Sequence, residues 1–202
     1  ATNGKMLHLL AKNHRYHELS VASTPRPHQG SDNDCKHKPL WQQVLREAVE
    51  QGTDALVDAG GLIVGVSGLT VAKYLLQVID QRRHRGVVFY GHKSREWRVL
   101  DQQRRTWSLS SAPIHESDAF VFFDDSHCRG ADMRLRQQAS AMLTLGPRLS
   151  KDKLMQAAGR MRQLDQHQSV QLTGTPEITQ QIRQINHLTP GDVVTSNHVL
   201  QW

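Results

Sequence analysis

The sequence has little of what several common protein classes require. Only two of its 202 residues are cysteines, Cys35 and Cys128, which gives no disulfide framework and no Cys-x-x-Cys pair. No apolar run approaches the roughly 18 residues that a membrane-spanning helix needs, and the amino end lacks a signal-peptide pattern. We therefore expect no membrane partner and a cytoplasmic or nuclear location.

Aromatic residues are also scarce, at 5% of the chain, so stacking platforms for single-stranded nucleic acid are few. The net charge of +6 comes from 25 Lys and Arg residues spread along the sequence. This charge permits an anionic partner such as nucleic acid, although a solvated basic surface is the more common origin. Composition leaves the oligomeric state open.

The distribution of apolar residues predicts three regions. Residues 1–40 are rich in His, Pro, Ser and Asp, which predicts a flexible polar linker or tail. Residues 41–188 alternate apolar strands with amphipathic helices, the pattern of an α/β domain with a mostly parallel sheet flanked by helices. Residues 189–202 open with Thr-Pro-Gly-Asp and predict the start of a further segment, and we expect the chain to be a piece of a larger protein.

Hydrophobic periodicity places the elements of the α/β region. The predicted strands are 55–66, 87–90, 119–123, 140–145 and 169–173, and the predicted helices are 41–51, 69–81, 151–163 and 176–186. A polar turn at 101–105 predicts a β-hairpin over 96–110. The glycine loop 65–68 is a candidate anion site. The stretch 86–94 is not a phosphate loop, because a histidine separates its second glycine from the lysine.

Acidic residues follow the apolar run 119–123 directly. In a parallel sheet they would lie at the carboxyl end of a strand, where α/β proteins bind ligands. The following turn, Asp-Ser-His-Cys-Arg-Gly-Ala-Asp, adds a cation, a flexible glycine and a second carboxylate, which suits phosphate and ribose contacts. The candidate contacts are Asp125, Arg129, Gly130 and Asp132.

The next helix adds polar groups to this edge. Ser150 is a predicted N-cap. Helical spacing places Gln156, Arg160 and Gln163 on one polar face, opposite an apolar stripe. On a continuous helix Arg162 would point about 200° away from Arg160 and could not easily reach the same anion, unless the helix ends near Met161. This polar face of the helix therefore offers amide and guanidinium groups to an anion.

These two stretches carry a resemblance. Residues 125–133 resemble motif V of superfamily 2 helicases and of the preprotein-translocase motor, and residues 156–160 resemble their motif VI, Gln-x-x-Gly-Arg. The resemblance implies a second RecA-like lobe that contacts ATP and magnesium held by an upstream RecA-like lobe of the same full-length protein. In such a lobe the hairpin 96–110 would be an insertion. The contacts implied are Asp125, Arg129, Gly130, Asp132, Gln156, Gly159 and Arg160, with Arg160 acting on the phosphates.

Gln163 departs from this pattern. The motors place a second arginine there, and an arginine finger contributes orders of magnitude to phosphoryl-transfer rates. The substitution predicts weak or absent ATP turnover, and the chain alone should not hydrolyse ATP because it has no phosphate loop. The alternative is a non-catalytic interaction or scaffold module of a large protein.

Residues 55–170 are also similar to very large eukaryotic proteins of unknown function that carry an automatic ubiquitinyl hydrolase label. This similarity implies a second alternative, a cysteine-type hydrolase with Cys128 as nucleophile. Cys128 has a neighbouring histidine and nearby acids, but a nucleophile needs its base within hydrogen-bond reach, and adjacent side chains rarely meet in that way.

We assign no metal ligands from the sequence. The stretch Asp124 to His127 resembles the Asp-Glu-x-His box of the first motor lobe. The short distance in sequence from this stretch to Gln156, however, is the distance expected between motif V and motif VI. Acids that hold a metal in a rearranged site are the alternative. Two further pairs are spaced loosely like zinc ligands within a polar, His-rich segment: His14 with His17, and Cys35 with His37.

Overall fold

The computed structural model describes residues 3–13, 15–20, 38–128 and 132–202. They form an α/β fold, as predicted, with helices flanking one sheet. The strands are β1 (Arg15–Glu18), β2 (Ala55–Val57), β3 (Gly86–Gly91), β4 (Glu96–Asp101), β5 (Thr106–Ser108), β6 (Phe120–Phe123), β7 (Ser140–Thr144) and β8 (Ser169–Gly174). The helices are α1 (Asn3–Asn13), α2 (Leu40–Glu50), α3 (Gly68–Val78), α4 (Lys151–Ala158), α5 (Pro176–Ile185) and α6 (Ser196–Gln201).

The eight strands lie in the order β1-β8-β7-β2-β6-β3-β4-β5. Every pair from β1 across to β3 is parallel, and the last two pairs are antiparallel. The layout is consistent with RecA-like and Rossmann-type domains. The strands β4 and β5 form the predicted hairpin, and its identity as an insertion remains a prediction.

The central strands are buried on both faces, which explains why their sequences read as continuous apolar runs. Within β2, Leu56 packs with side chains of α2 and α3, whereas Ala55 and Val57 pack with those of α1, α4 and α5. Because alternate residues of a strand point to opposite faces, β2 contributes to both halves of the core.

The prediction of a flexible tail over residues 1–40 is wrong for part of that range. Residues 3–13 form α1, and Arg15–Glu18 pair in parallel with β8 as an edge strand. Leu10 and Leu19 are fully buried. The partners of this segment lie far along the chain, so local composition could not reveal them; residues 21–37 lie outside the described residues.

Two further boundaries differ from prediction. The strand predicted over 55–66 ends at Val57, because the Asp58 carboxylate accepts the backbone N–H groups of Leu62 and Ile63 and closes a turn. Residues 189–202 pack on the same core, where Val194 and Val199 are buried.

Candidate functional site

The carboxyl edge of the sheet brings two acids together. Val57 of β2 pairs with Phe123 of β6, so Asp58 and Asp124 follow neighbouring strands at the same level. On the other side of β2, Leu143 of β7 pairs with Val57. This is the edge at which parallel α/β sheets bind ligands.

Asp58 is a buried acid that organises this edge. Its carboxylate accepts the hydroxyl of Thr144 at 2.7 Å and the N–H groups of Leu62 and Ile63 at 2.9 Å each. Burial raises the pKa of Asp58, and the negative charge of Asp125 adds to the rise, while the three hydrogen bonds oppose it. The acid therefore ties the loop after β2 to β7.

Two glycines let the loops after β2 and β7 touch. A Cβ on Gly60 would lie 2.4 Å from the carbonyl carbon of Leu145, and one on Gly146 would lie 2.3 Å from the Gly60 oxygen. Neither position has room for a side chain, so the close contact requires glycine.

Asp124 has one satisfied and one unsatisfied oxygen. Oδ1 accepts the backbone N–H of His127 at 2.8 Å and lies 2.7 Å from its Nδ1. Oδ2 is buried and accepts no hydrogen bond, and His92 Nε2 lies 3.5 Å from it. Tyr90 stacks on the His127 ring, with 3.5 Å between centroids, and Trp97 meets that ring edge-on.

Asp125 points to α4, where Lys153 forms an ion pair with its carboxylate. The carbonyl of Asp125 accepts the thiol of Cys128 at 3.2 Å. Asp125, the first residue of the motif V-like stretch, is thus fixed to the start of α4, whose N-cap is Ser150 as predicted.

The structure brings the end of the motif V-like stretch close to the turn that follows the motif VI-like segment. Arg162 Nη2 lies 3.0 Å from Asp132 Oδ1. Burial lowers the pKa of Arg160, the positive charge of Arg162 lowers it further, and Cys128 and Asp132 act in the opposite direction. Arg162 therefore contacts Asp132 directly, and Arg160 lies near enough to Cys128 and Asp132 for their charges to act on it.

The prediction of a continuous helix through residue 163 is wrong. The helix α4 ends at Ala158, with Gly159 as its C-cap, and turns follow. In those turns the Gln163 carbonyl accepts three successive N–H groups, and its own N–H donates to the buried Gln168 side chain. Gln156, Arg160 and Gln163 consequently do not share a helical face.

The remaining predicted contacts have mixed outcomes. The Gln156 side chain is exposed, and its carbonyl accepts Arg160 Nε at 3.4 Å. The Gln163 side chain is exposed as well. Arg129 and Gly130 lie outside the described residues.

The proposed nucleophile Cys128 has a relative exposure of 0%. The neighbouring His127 is held by Asp124 and stacked on Tyr90. Access to the thiol is therefore closed in this conformation, and the geometry gives the hydrolase alternative no support.

Two other sequence candidates are partly described. His17 lies in β1, where its Nε2 is 2.6 Å from a carboxylate oxygen of buried Glu47, while His14, Cys35 and His37 lie outside the described residues. At the glycine loop 65–68, Ser67 caps α3. A cleft of about 320 Å³ lies beside it, bordered by His92, Lys93 and Arg98.

Sequence reasoning missed three residues of the edge: Asp58, His92 and Lys153. Asp58 follows an apolar strand in the same way as Asp124, and that shared pattern could have identified it. His92 follows β3, a strand that was predicted, but only the pairing of β3 with β6 brings it beside Asp124.

Fold and edge together define an α/β domain whose sheet has a polar carboxyl edge. No protein-family model, curated protein or solved structure matches the chain at a significant level. The resemblance to motor lobes therefore rests on the two short motifs. None of the helices in the described ranges is both long and apolar enough to cross a membrane.

Proposed function

We propose that this chain is the second RecA-like lobe of a helicase- or translocase-type ATPase, and that it contacts ATP and magnesium held by a separate upstream lobe. The observation that carries the proposal is that the ends of the two motif-like stretches lie close together: Arg162, just after the motif VI-like segment, pairs with Asp132, and Arg160 lies near enough for the charges of both to act on it. Positive groups in such a position suit the charge that develops on a transferred phosphoryl group.

The early end of α4 bears on the departure at Gln163. Arg160 and Arg162 would point in opposite directions only if they lay on one continuous helix. The helix α4 ends before both residues. Arg162 contacts Asp132, and Arg160 lies within range of the same charge. Arg162 is therefore the residue that takes the place of the missing second arginine.

The test measures ATP hydrolysis by the full-length protein. We expect Arg160→Ala to lower kcat at least about 100-fold, since arginine fingers contribute about 10³ to 10⁵ in rate, and Arg162→Ala to lower it less. The matched control is Arg82→Ala, an exposed arginine near the start of β3, at the opposite end of the sheet. If Arg160→Ala and Arg82→Ala hydrolyse ATP at equal rates, the turn after α4 has no part in the mechanism.

The alternative is an interaction or scaffold module with the same fold. It predicts that the full-length protein neither binds nor hydrolyses ATP. The sequence upstream of this chain separates the two: a phosphate loop followed by an Asp-Glu-x-His box favours the motor, and a protein without them would be a scaffold. The chain alone should show no ATPase activity under either proposal.

A further inference from the structure

Three potential metal ligands meet at the ends of β3 and β6. His92, Asp124 and His127 each offer one ligand atom, and these atoms all lie within 4.8 Å of one another. His92 follows β3, and the other two follow β6, its parallel neighbour. The cluster thus joins two strand ends at the carboxyl edge of the sheet.

We propose that His92, Asp124 and His127 bind a divalent transition metal ion, with zinc as the best match. The proposal does not depend on the nucleotide-binding role, because it uses neither Arg160 nor Arg162. Three protein ligands leave a fourth position for water or another ligand, as in zinc sites that act on substrates.

The unsatisfied oxygen of Asp124 is the first argument. A buried carboxylate oxygen that accepts no hydrogen bond is costly, and Asp124 Oδ2 is such an atom. Around a tetrahedral zinc ion with bonds of about 2.0–2.2 Å, ligand atoms lie roughly 3.4 Å apart. His92 Nε2 lies 3.5 Å from Asp124 Oδ2, so one ion fits between them with little movement.

The surroundings of His127 are the second argument. Its ring is stacked on Tyr90 and meets Trp97 edge-on, which fixes the plane of the imidazole. Its Nδ1 lies 2.7 Å from Asp124 Oδ1, so this ring nitrogen and the Asp124 carboxylate are close enough to bind the same ion. His92 is 57% exposed, so an ion can enter from solvent.

The ligand types select the metal. Two imidazoles with one carboxylate suit zinc and neighbouring transition metals, whereas magnesium prefers oxygen ligands and water. The proposed site thus differs in chemistry from a magnesium ion bound through ATP phosphates.

Metal binding can be measured directly on the purified, metal-free chain. Titration calorimetry with zinc should show one site, and cobalt should give the visible absorption of a tetrahedral complex. We expect His92→Ala and His127→Ala each to weaken zinc binding at least about 100-fold, since loss even of an indirect partner costs 10- to 100-fold. Magnesium at the same concentration should give no signal. Near-ultraviolet circular dichroism checks that each variant is folded. His92→Ala should disturb the fold less than His127→Ala, because His92 is exposed.

Two controls separate this site from other histidines. His167→Ala removes an exposed histidine from the turns before β8 and should leave zinc affinity unchanged. The double variant Cys35→Ser with His37→Ala should also bind as tightly as the wild type. The proposal is overturned if His92→Ala retains wild-type affinity, or if the double variant abolishes the site.

Discussion

The two ends of strand β2 carry acids in opposite environments. Asp54 precedes the strand and is 2% exposed. Its carboxylate accepts hydrogen bonds from Arg83 Nε at 3.0 Å and from the Ser140 N–H at 3.1 Å, and His84 Nε2 lies 2.9 Å from it. Asp58 follows the strand and, among the described residues, forms no ion pair; its partners are neutral donors. The acid at the amino end is therefore neutralised by cations, whereas the acid at the carboxyl end is bound by neutral donors.

The pKa values follow the same division. Burial raises the pKa of Asp54, but bonds from His84, Ser140 and Arg83 outweigh it and hold the value below the usual range. The pKa of Asp58 is raised, because burial outweighs its three hydrogen bonds. One acid is stabilised in its charged form and the other is not.

The largest expected effect comes from removing the acid at the amino end. Asp54→Ala leaves His84, Arg83 and a backbone N–H without their carboxylate, and removing one partner of a buried ion pair costs about 3–5 kcal/mol. Urea unfolding at pH 7 measures this loss. Asp118→Ala, an exposed acid near the same end, should stay within about 0.5 kcal/mol of the wild type. A similar small change for Asp54→Ala would remove the contrast between the ends.

A smaller effect is expected at the glycine contact of the carboxyl end. Gly60→Ala places a methyl group against the backbone at Leu145 and should cost about 1–3 kcal/mol, the range for overpacking. Gly4→Ala is the control, because its Cβ would meet nothing within 4 Å. Thermal unfolding compares the two; equal melting temperatures would show that the loops after β2 and β7 move apart freely.

The pH dependence of stability sharpens the contrast. The depressed pKa of Asp54 gives stability that is complete above about pH 3.9, the unfolded value, and is lost as pH falls through the folded pKa. The raised pKa of Asp58 gives stability that is complete below about pH 3.9 and is lost as pH rises through the folded pKa.

Asn substitutions at Asp54 and Asp58 test these signs. The destabilisation by Asp54→Asn should shrink as pH falls from 5 to 3, and that by Asp58→Asn should shrink as pH rises over the same range. Denaturation midpoints at three pH values suffice. Parallel trends for the two variants would contradict the assignment of opposite shifts.

The smallest effect on stability is expected at the outer ion pair. Arg162 and Asp132 are 57% and 79% exposed, so Arg162→Ala should change the unfolding free energy by less than about 0.5 kcal/mol. A larger loss would mean that this pair is structural, and any fall in ATP hydrolysis by the variant would then need another explanation.

Much of the fold could be predicted from the sequence because its strands and helices have a clear hydrophobic periodicity. The buried run before Asp124 and the amphipathic helix α5 lie within a residue of their predicted bounds. The end of α4 could not be predicted in this way. A single glycine, Gly159, is a weak signal for the end of a helix. The following turn is completed by the side chain of Gln168, five residues beyond Gln163. Such a closure depends on tertiary packing.

The candidate site was predicted in part. Asp125 and Asp132 could be named because they belong to a short motif. His92 could not, because the parallel pairing of β3 with β6 places it beside Asp124 across a long stretch of chain. Neighbours across a parallel sheet are determined by strand order, which periodicity does not encode.

The edge strand β1 has a consequence for folding order. Its only strand partner among the described residues is β8, with Arg15 opposite Gln171, so almost the whole domain lies between the two in sequence. Closing so long a loop is slow, and β1 cannot add to the sheet before β8 is in place. During synthesis, β1 would leave the ribosome before the other described strands of this sheet and would pair only after β8 is in place.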